Sequence, residues 1–483
     1  MHDVIIVGAR VAGSATALLL ARRGLKVLVL DRAMFPSDTL STHQVQVPGV
    51  ARLARWGVLD AILEAGTPAT RDVRFDQGQA VLTGRFPACD GTDFMCSPRR
   101  TLLDQVLVDA ARAAGAEVRE NFTVGELLRD NGTVTGVRGR EKGAPAVTER
   151  APLVIGADGK HSLVAEAVNA RAYRAKPPQS MAFYTYWEGV PASGGELYGR
   201  PGCALGAWPT NDGLLMTYLA WPIARFGEFR QDVEGNFLRT LDAVGLGDRI
   251  RSGRRAERFR GTPDLPSYFR QPHGPGWALV GDAGLLLDPV TGQGISHAFR
   301  DAELLAGAVA DGLGGIRPLG KALGQYHRAR DKAARPMYDF TARLAAINPP
   351  TPAEMALFRA LSQRQEDSDA FFGALTGSVP LRKFMSPRNM VLLVGVHGLT
   401  KLMLGQAVRG KPAGELPESA APGSPGLRWL PWWASRRPHL ADRARQGNGS
   451  GSHPQVRRGS RRDSRHRGPA SATGRSRSIE PKS

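Results

Sequence analysis

Cysteine is scarce: the chain has three in 483 residues, Cys89, Cys96 and Cys203. None forms a Cys-x-x-Cys pair and the number is odd, which argues against a disulfide framework and a Cys-based metal site. Lysine is also scarce. Ten lysines leave 54 arginines among the 64 basic residues, a skew of high-GC coding sequence rather than of one function. Long apolar runs are missing. The longest near the C-terminus, Val391 to Leu404, is interrupted by Gly395, His397, Gly398 and Lys401. It is too short and too polar to span a bilayer, so no transmembrane segment is expected. The N-terminus has no basic n-region and no small-residue cleavage site. Val4-Ile5-Ile6-Val7-Gly8 reads as a strand rather than a signal peptide, and the expected setting is cytoplasmic. No Gly-x-x-x-x-Gly-Lys-Ser/Thr, His-Glu-x-x-His or Gly-x-Ser-x-Gly pattern occurs, and no metal is expected.

What is present is enough apolar material for a large core: 42% hydrophobic and 23% charged residues. That composition excludes a wholly disordered chain and a coiled coil. The formal charge of +19 first suggests a polyanionic partner. It is unevenly placed. Residues 431–483 hold 13 basic and 3 acidic residues, a net +10. The other 430 residues carry +9. Residues 436–483 have almost no apolar content and read as disordered. Nothing aromatic interleaves the charges after Trp433, so no specific nucleic-acid partner is expected.

Along the chain, Val4–Val7 reads as a buried strand, Ala12–Arg23 as a helix stopped by Gly24, and Lys26–Leu30 as a second buried strand ending on Asp31. Thr101–Ala114 is a second strong helix. Strand-like segments follow at 117–120, 134–140 and 153–157. Between Met181 and Ala220 the pattern changes to aromatic and β-branched strands, a mixed or antiparallel sheet. In Phe183 to Trp187, period-two alternation puts Phe183, Thr185 and Trp187 on one face and Tyr184 and Tyr186 on the other. Trp277–Asp282 returns to the buried-strand style. Long helices occupy about 294–346, a Pro-rich break covers 348–352, and more helix runs to about 407.

Three motifs carry chemistry. Gly8-Ala9-Arg10-Val11-Ala12-Gly13 lies between the first strand and the first helix, with Asp31 23 positions after Gly8. Such a turn lets a pyrophosphate approach a helix N-terminus, and the acid binds ribose hydroxyls. Arg10 stands at the second glycine position. Asp158-Gly159 follows the apolar run 153–157 and, read alone, is an ordinary turn. Gly281-Asp282 follows a third apolar run, and Asp288–Ser296 is a Gly-rich loop opening a long helix. Read alone, that loop is equally a plain helix entry.

Taken together, their order and spacing resemble the FAD-dependent monooxygenases of the para-hydroxybenzoate hydroxylase type. The resemblance covers roughly residues 3–345. Phe35–His43 and Asp288–Ser296 resemble a bacterial branch related to the geranylgeranyl reductase-like oxidoreductases. The implied fold is α/β. It has a discontinuous Rossmann-like FAD-binding domain (1–75, 98–175 and 270–345) and an inserted mixed or antiparallel sheet domain for substrate (76–97 and 176–269). A helical C-terminal region (346–407) and a disordered basic tail (408–483) follow.

The resemblance implies that Gly8, Ala12 and Gly13 contact the FAD pyrophosphate, and that Asp31, with Arg32 beside it, meets the adenosine ribose. Arg100 would lie near the phosphates and ribityl chain. Asp158 would sit between FAD and a visiting nicotinamide. Gly281 and Asp282 would reach the ribityl chain. Pro289, Gly294, Ile295 and Ser296 would line the flavin ring. Arg10 should point away from the cofactor or onto a phosphate. His43 is an acid–base candidate beside the ring, a packed loop histidine being the plainer reading. The implied reaction takes hydride from a transient NADH or NADPH. It hydroxylates a hydrophobic or aromatic small molecule with O2 through a flavin C4a-hydroperoxide, in bacterial secondary metabolism. A reductase of the geranylgeranyl type is the first rival. A flavin halogenase is the second, and its Trp-x-Trp-x-Ile-Pro motif is absent. The expected assembly is a monomer or homodimer, with weak peripheral contact open to the basic tail.

Overall fold

A computed structural model describes residues 1–408. The expected tail disorder therefore lies outside the described residues. β1 (Val4–Val7), α1 (Val11–Ala21) and β2 (Val27–Leu30) form the opening βαβ unit. Both strands are buried along their whole length because layers pack on both faces of the sheet. β3 (Leu153–Gly156) pairs in parallel with the other edge of β1. The six strands run His273–Gly274, Trp277–Leu279, β3, β1, β2, Glu117–Arg119.

This order explains why three motifs far apart in sequence meet. The strand Trp277–Leu279, β3 and β1 are parallel neighbours, and each motif follows the carboxyl end of one of them. The strand order reverses at β1, and ligands bind at such switch points.

A second, larger sheet has eight strands and mixed direction. At its centre, β4 (Ser180–Glu188) pairs antiparallel with β5 (Leu215–Pro222), Tyr184 opposite Tyr218 and Tyr186 opposite Met216. The strand Asp72–Asp76 pairs in parallel with Gly195–Arg200 and belongs to this sheet. The sheet therefore begins ahead of residue 76, because Val73 packs into its apolar cluster.

The two faces of this sheet pack differently. Phe183, Trp187 and Trp221 join Phe229, Phe237 and Leu241 from the helices at 226–243. Tyr184, Tyr186 and Tyr218 join Val47, Met95, Phe372 and Phe384. α2 (Gly294–Leu313) packs against α1, and the helix Leu319–Leu344 packs against α2. After the 348–352 break, Thr351 and Glu354 form a capping box that starts Pro352–Leu361. The helical region ends in α3 (Pro387–Val408), which breaks at Gly395, where φ is +70°. No helix among the described residues is long and apolar enough to cross a membrane.

Candidate active site at the strand ends

The nucleotide turn is built from backbone. Gly8 has φ +103°, a conformation costly for any residue with a Cβ. A Cβ on Gly13 would lie 1.8 Å from the Gly8 carbonyl oxygen. Only glycine lets the first turn of α1 approach β1 this closely. α1 has no side-chain cap and no acid in its first turn, so its first N–H groups remain free for an anion. Asp31 is buried, and its carboxylate accepts from Ala9 N–H at 2.6 Å and Ala33 N–H at 2.7 Å. It thereby pins the turn as well as ending β2. Arg32 is exposed beside it.

Arg10 folds away from the free N–H groups. Its guanidinium donates to Asp104 at 2.7 Å and to the Ser37 and Asp38 carbonyls. Arg100, in the helix Arg100–Ala113, holds the same Asp104 carboxylate at 2.8 Å. Asp104 is fully buried between the two cations. No motif in the sequence singles out this residue.

The Asp158 carboxylate accepts from Ser162 Oγ at 2.5 Å and Val164 N–H at 3.2 Å, and burial raises its pKa. It thus braces the start of the five-residue helix Leu163–Ala167, whose N-cap is Ser162. Asp282 follows Gly281, whose φ is +63°. Its side chain opens to water, yet protein surrounds it closely enough that desolvation raises its pKa.

At the third motif, Asp288 is buried and accepts from Ser180 Oγ at 2.6 Å and Val290 N–H at 2.9 Å. Burial pushes its carboxyl up to about 6. The loop is thereby tied to the start of β4. Pro289 opens the short turn Pro289–Thr291. Gly294 is exposed at the start of α2, and nothing lies within 4 Å of a Cβ placed there. Like α1, α2 has neither a side-chain cap nor an acid in its first turn. Ile295 is buried in the apolar core. Ser296, expected along the flavin ring, accepts from Gln46 N–H through its hydroxyl at 2.9 Å. Gln46 also donates through Nε2 to the Thr291 and Gly292 carbonyls, which anchors the loop 41–46 at this helix start.

That anchored loop presents His43, which is fully buried with φ +64°. Its Nδ1 lies 2.8 Å from the Ser41 carbonyl. A carbonyl only accepts, so Nδ1 carries the hydrogen and Nε2 is left as acceptor. Tyr186 then donates its hydroxyl to Nε2 at 2.8 Å. Burial, with Arg100 and Arg99 nearby, holds the imidazole down to about 3. His43 is therefore neutral at physiological pH, with its tautomer fixed. Tyr184 stands edge-on to His43, 5.7 Å between ring centroids. The hydroxyls of Tyr184 and Tyr218 are buried with no protein hydrogen-bond partner. Desolvation pushes Tyr184 up to about 12 and also raises Tyr186 and Tyr218.

A charged chain borders this wall. The Arg99 guanidinium lies 4.1 Å from the centre of the Tyr186 ring and pairs with Glu257. Glu257 meets Arg260, and Arg260 pairs with Asp38 at 2.6 Å. Asp38 in turn accepts from Arg10 through its carbonyl. The chain thus runs from the nucleotide turn to the tyrosine wall. Sequence alternation separates Tyr184 and Tyr186 from Phe183 and Trp187, but gives no signal for Arg99, Glu257, Arg260, Gln46 or Asp104. Among the described residues, no group of His, Cys, Asp and Glu is placed to hold a metal ion.

Residues 1–184 match the family model of the FAD binding domain. Rifampicin monooxygenase of Streptomyces venezuelae is 25% identical over 382 residues, 76% of this chain and 76% of the relative. Tryptophan 2-halogenase of Chondromyces crocatus is 26% identical over 341 residues, 67% of this chain. The match spans 64% of that halogenase's length. A flavin-dependent brominase structure superposes with TM-score 0.69 at 17% identity, covering 85% of this chain and 100% of the brominase. The brominase likeness is one of fold. Over residues 1–184 the chain is thus similar to FAD-binding domains.

Proposed function

We propose, with that FAD-binding domain as premise, that the chain is an FAD-dependent monooxygenase that oxidises a hydrophobic or aromatic small molecule with O2 and NADH or NADPH. The observation that carries the reading is the wall of Tyr184, Tyr186 and Tyr218, which adjoins the loop fastened to the N-terminus of α2.

The residues present fit FAD. Two long helices end in free N–H groups without an acidic residue in either first turn, which suits an extended, anionic dinucleotide. Gly8, Ala12 and Gly13 would take the pyrophosphate, and Asp31 and Arg32 the adenosine ribose. Arg100, Gly281 and Asp282 would face the phosphates and ribityl chain, and Asp158 would lie between FAD and the nicotinamide. Pro289, Gly294, Ile295 and Ser296 would border the ring. Bound there, FAD would supply hydride acceptance and the activation of O2.

The chain's own groups do the rest. The α2 N–H groups stabilise negative charge brought to that helix end. His43 acts as a positioning residue: its fixed Nδ1–H tautomer holds the Tyr186 hydroxyl in one direction. With its conjugate acid near 3, His43 is not a proton store at neutral pH. Tyr184 and Tyr218 offer unsatisfied hydroxyls to a polar group on an otherwise apolar substrate. The Arg99–Glu257–Arg260–Asp38 chain holds both halves of the site in register.

The test is turnover with O2 monitored. Substrate-stimulated NADH or NADPH oxidation should consume O2 in proportion to product. Product formed under strict anaerobiosis would replace this reading with the reductase one.

A further inference from the structure

We propose that α3 is a docking surface for an anionic lipid bilayer, lying in the interface with its apolar side chains inserted. Leu392, Val396, Met403 and Leu404 are 77%, 70%, 64% and 59% exposed. Leu392 lies before the break at Gly395 and Val396, Met403 and Leu404 lie after it, and each segment also has a buried side. Met390 and Leu402 are buried in the cluster that also holds Tyr184, Tyr186 and Phe384. A helix with one side in the core and a second apolar side in water suits an interfacial position. It is not long and apolar enough to cross.

Charge selects the occupant. Residues 381–408 contain Arg382, Lys383, Arg388 and Lys401 and no acid. The chain that follows, 409–483, adds 16 basic and 5 acidic residues, a net +11. An isologous second copy would bring the same cations against each other. The chain's own tail would also add positive charge to positive. An anionic bilayer satisfies the apolar side chains and the cations together. Trp429, Trp432 and Trp433, followed by Arg436 and Arg437, are residue types that favour the headgroup region. Because the buried side of α3 belongs to the Tyr184–Tyr186 cluster, docking turns the substrate side of the large sheet toward the lipid.

The experiment sediments the full chain with phosphatidylcholine vesicles, with and without phosphatidylglycerol. Binding to the anionic vesicles that weakens with salt is expected. The variant Leu392→Gln/Val396→Gln/Met403→Gln/Leu404→Gln should lose roughly tenfold or more in partitioning. Its thermal melt should match wild type, since all four side chains are exposed. In wild type, vesicles should slow hydrogen exchange across 387–408. Absence of binding to anionic vesicles overturns the proposal. So does a variant that binds like wild type, which would assign the contact to tail charge alone. Lipid-free self-association that the variant abolishes, without vesicle binding, would instead make the face a contact between copies.

Discussion

The nucleotide turn and the large sheet solve opposite problems. At the turn, backbone does the binding and side chains must keep away: Gly8 and Gly13 are there for what they lack, and Arg10 is drawn off to Asp104. On β4, the backbone is ordinary and alternate side chains divide the labour. Phe183 and Trp187 face a closed aromatic layer, while Tyr184 and Tyr186 face the loop that carries His43. A site assembled this way tolerates change at its sheet side chains far better than at its turn.

The largest effect should come from Gly13→Val. Its Cβ would meet a backbone oxygen that has nowhere to go, so the variant should lose yellow FAD absorbance and much of its soluble yield. Normal FAD occupancy would break the assignment of the turn. Next, the two faces of β4 should separate. Phe183→Ala, which removes a ring 4.7 Å from Phe229, should cost about 3–5 kcal/mol in denaturant melts. Tyr186→Phe should cost about 1–3 kcal/mol by leaving His43 Nε2 unpaired, while lowering turnover severalfold. Similar stability losses for both, with turnover unchanged in Tyr186→Phe, would erase the distinction.

A third prediction uses pH. His43 is lowered from 6.5 to about 3 in the folded chain. Below pH 6.5 the unfolded chain therefore binds a proton that the folded one refuses, and stability is lost as the pH drops. The difference between wild type and His43→Gln should shrink by about 1.6 kcal/mol in all from pH 6.5 to 5. Asp288 has the opposite sign, since its raised pKa favours the folded state until pH climbs through about 6; taking the difference cancels it. A flat difference would place the His43 proton elsewhere. The smallest effect is expected for Arg10→Gly. Arg100 still holds Asp104, so the loss should be about 1.5 kcal/mol or less, with FAD retained. Loss of FAD would show that Arg10 faces the phosphates.

Much of this was legible in the chain itself. The buried runs 4–7, 27–30 and 153–156 announce parallel strands because both faces must be covered. The glycine positions announce the turn. The alternation through Phe183 to Trp187 announces two faces, though not which face meets the site. The strand Asp72–Asp76 escaped because five residues with two charged ends carry little periodicity.

The sequence by itself determined the elements, the cofactor turn and the concentration of charge toward the C-terminus. These depend on residues close in the chain, where φ, spacing and apolar period act directly. Only the tertiary structure decided that His43 is neutral and bonded to Tyr186, that Asp104 takes two arginines, and that Arg99, Glu257, Arg260 and Asp38 form one chain. Those depend on burial and, for the contacts that join distant segments, on partners 94 to 222 positions apart. A hydrogen bond or a desolvation penalty is set by where side chains end up in space, which local sequence does not encode.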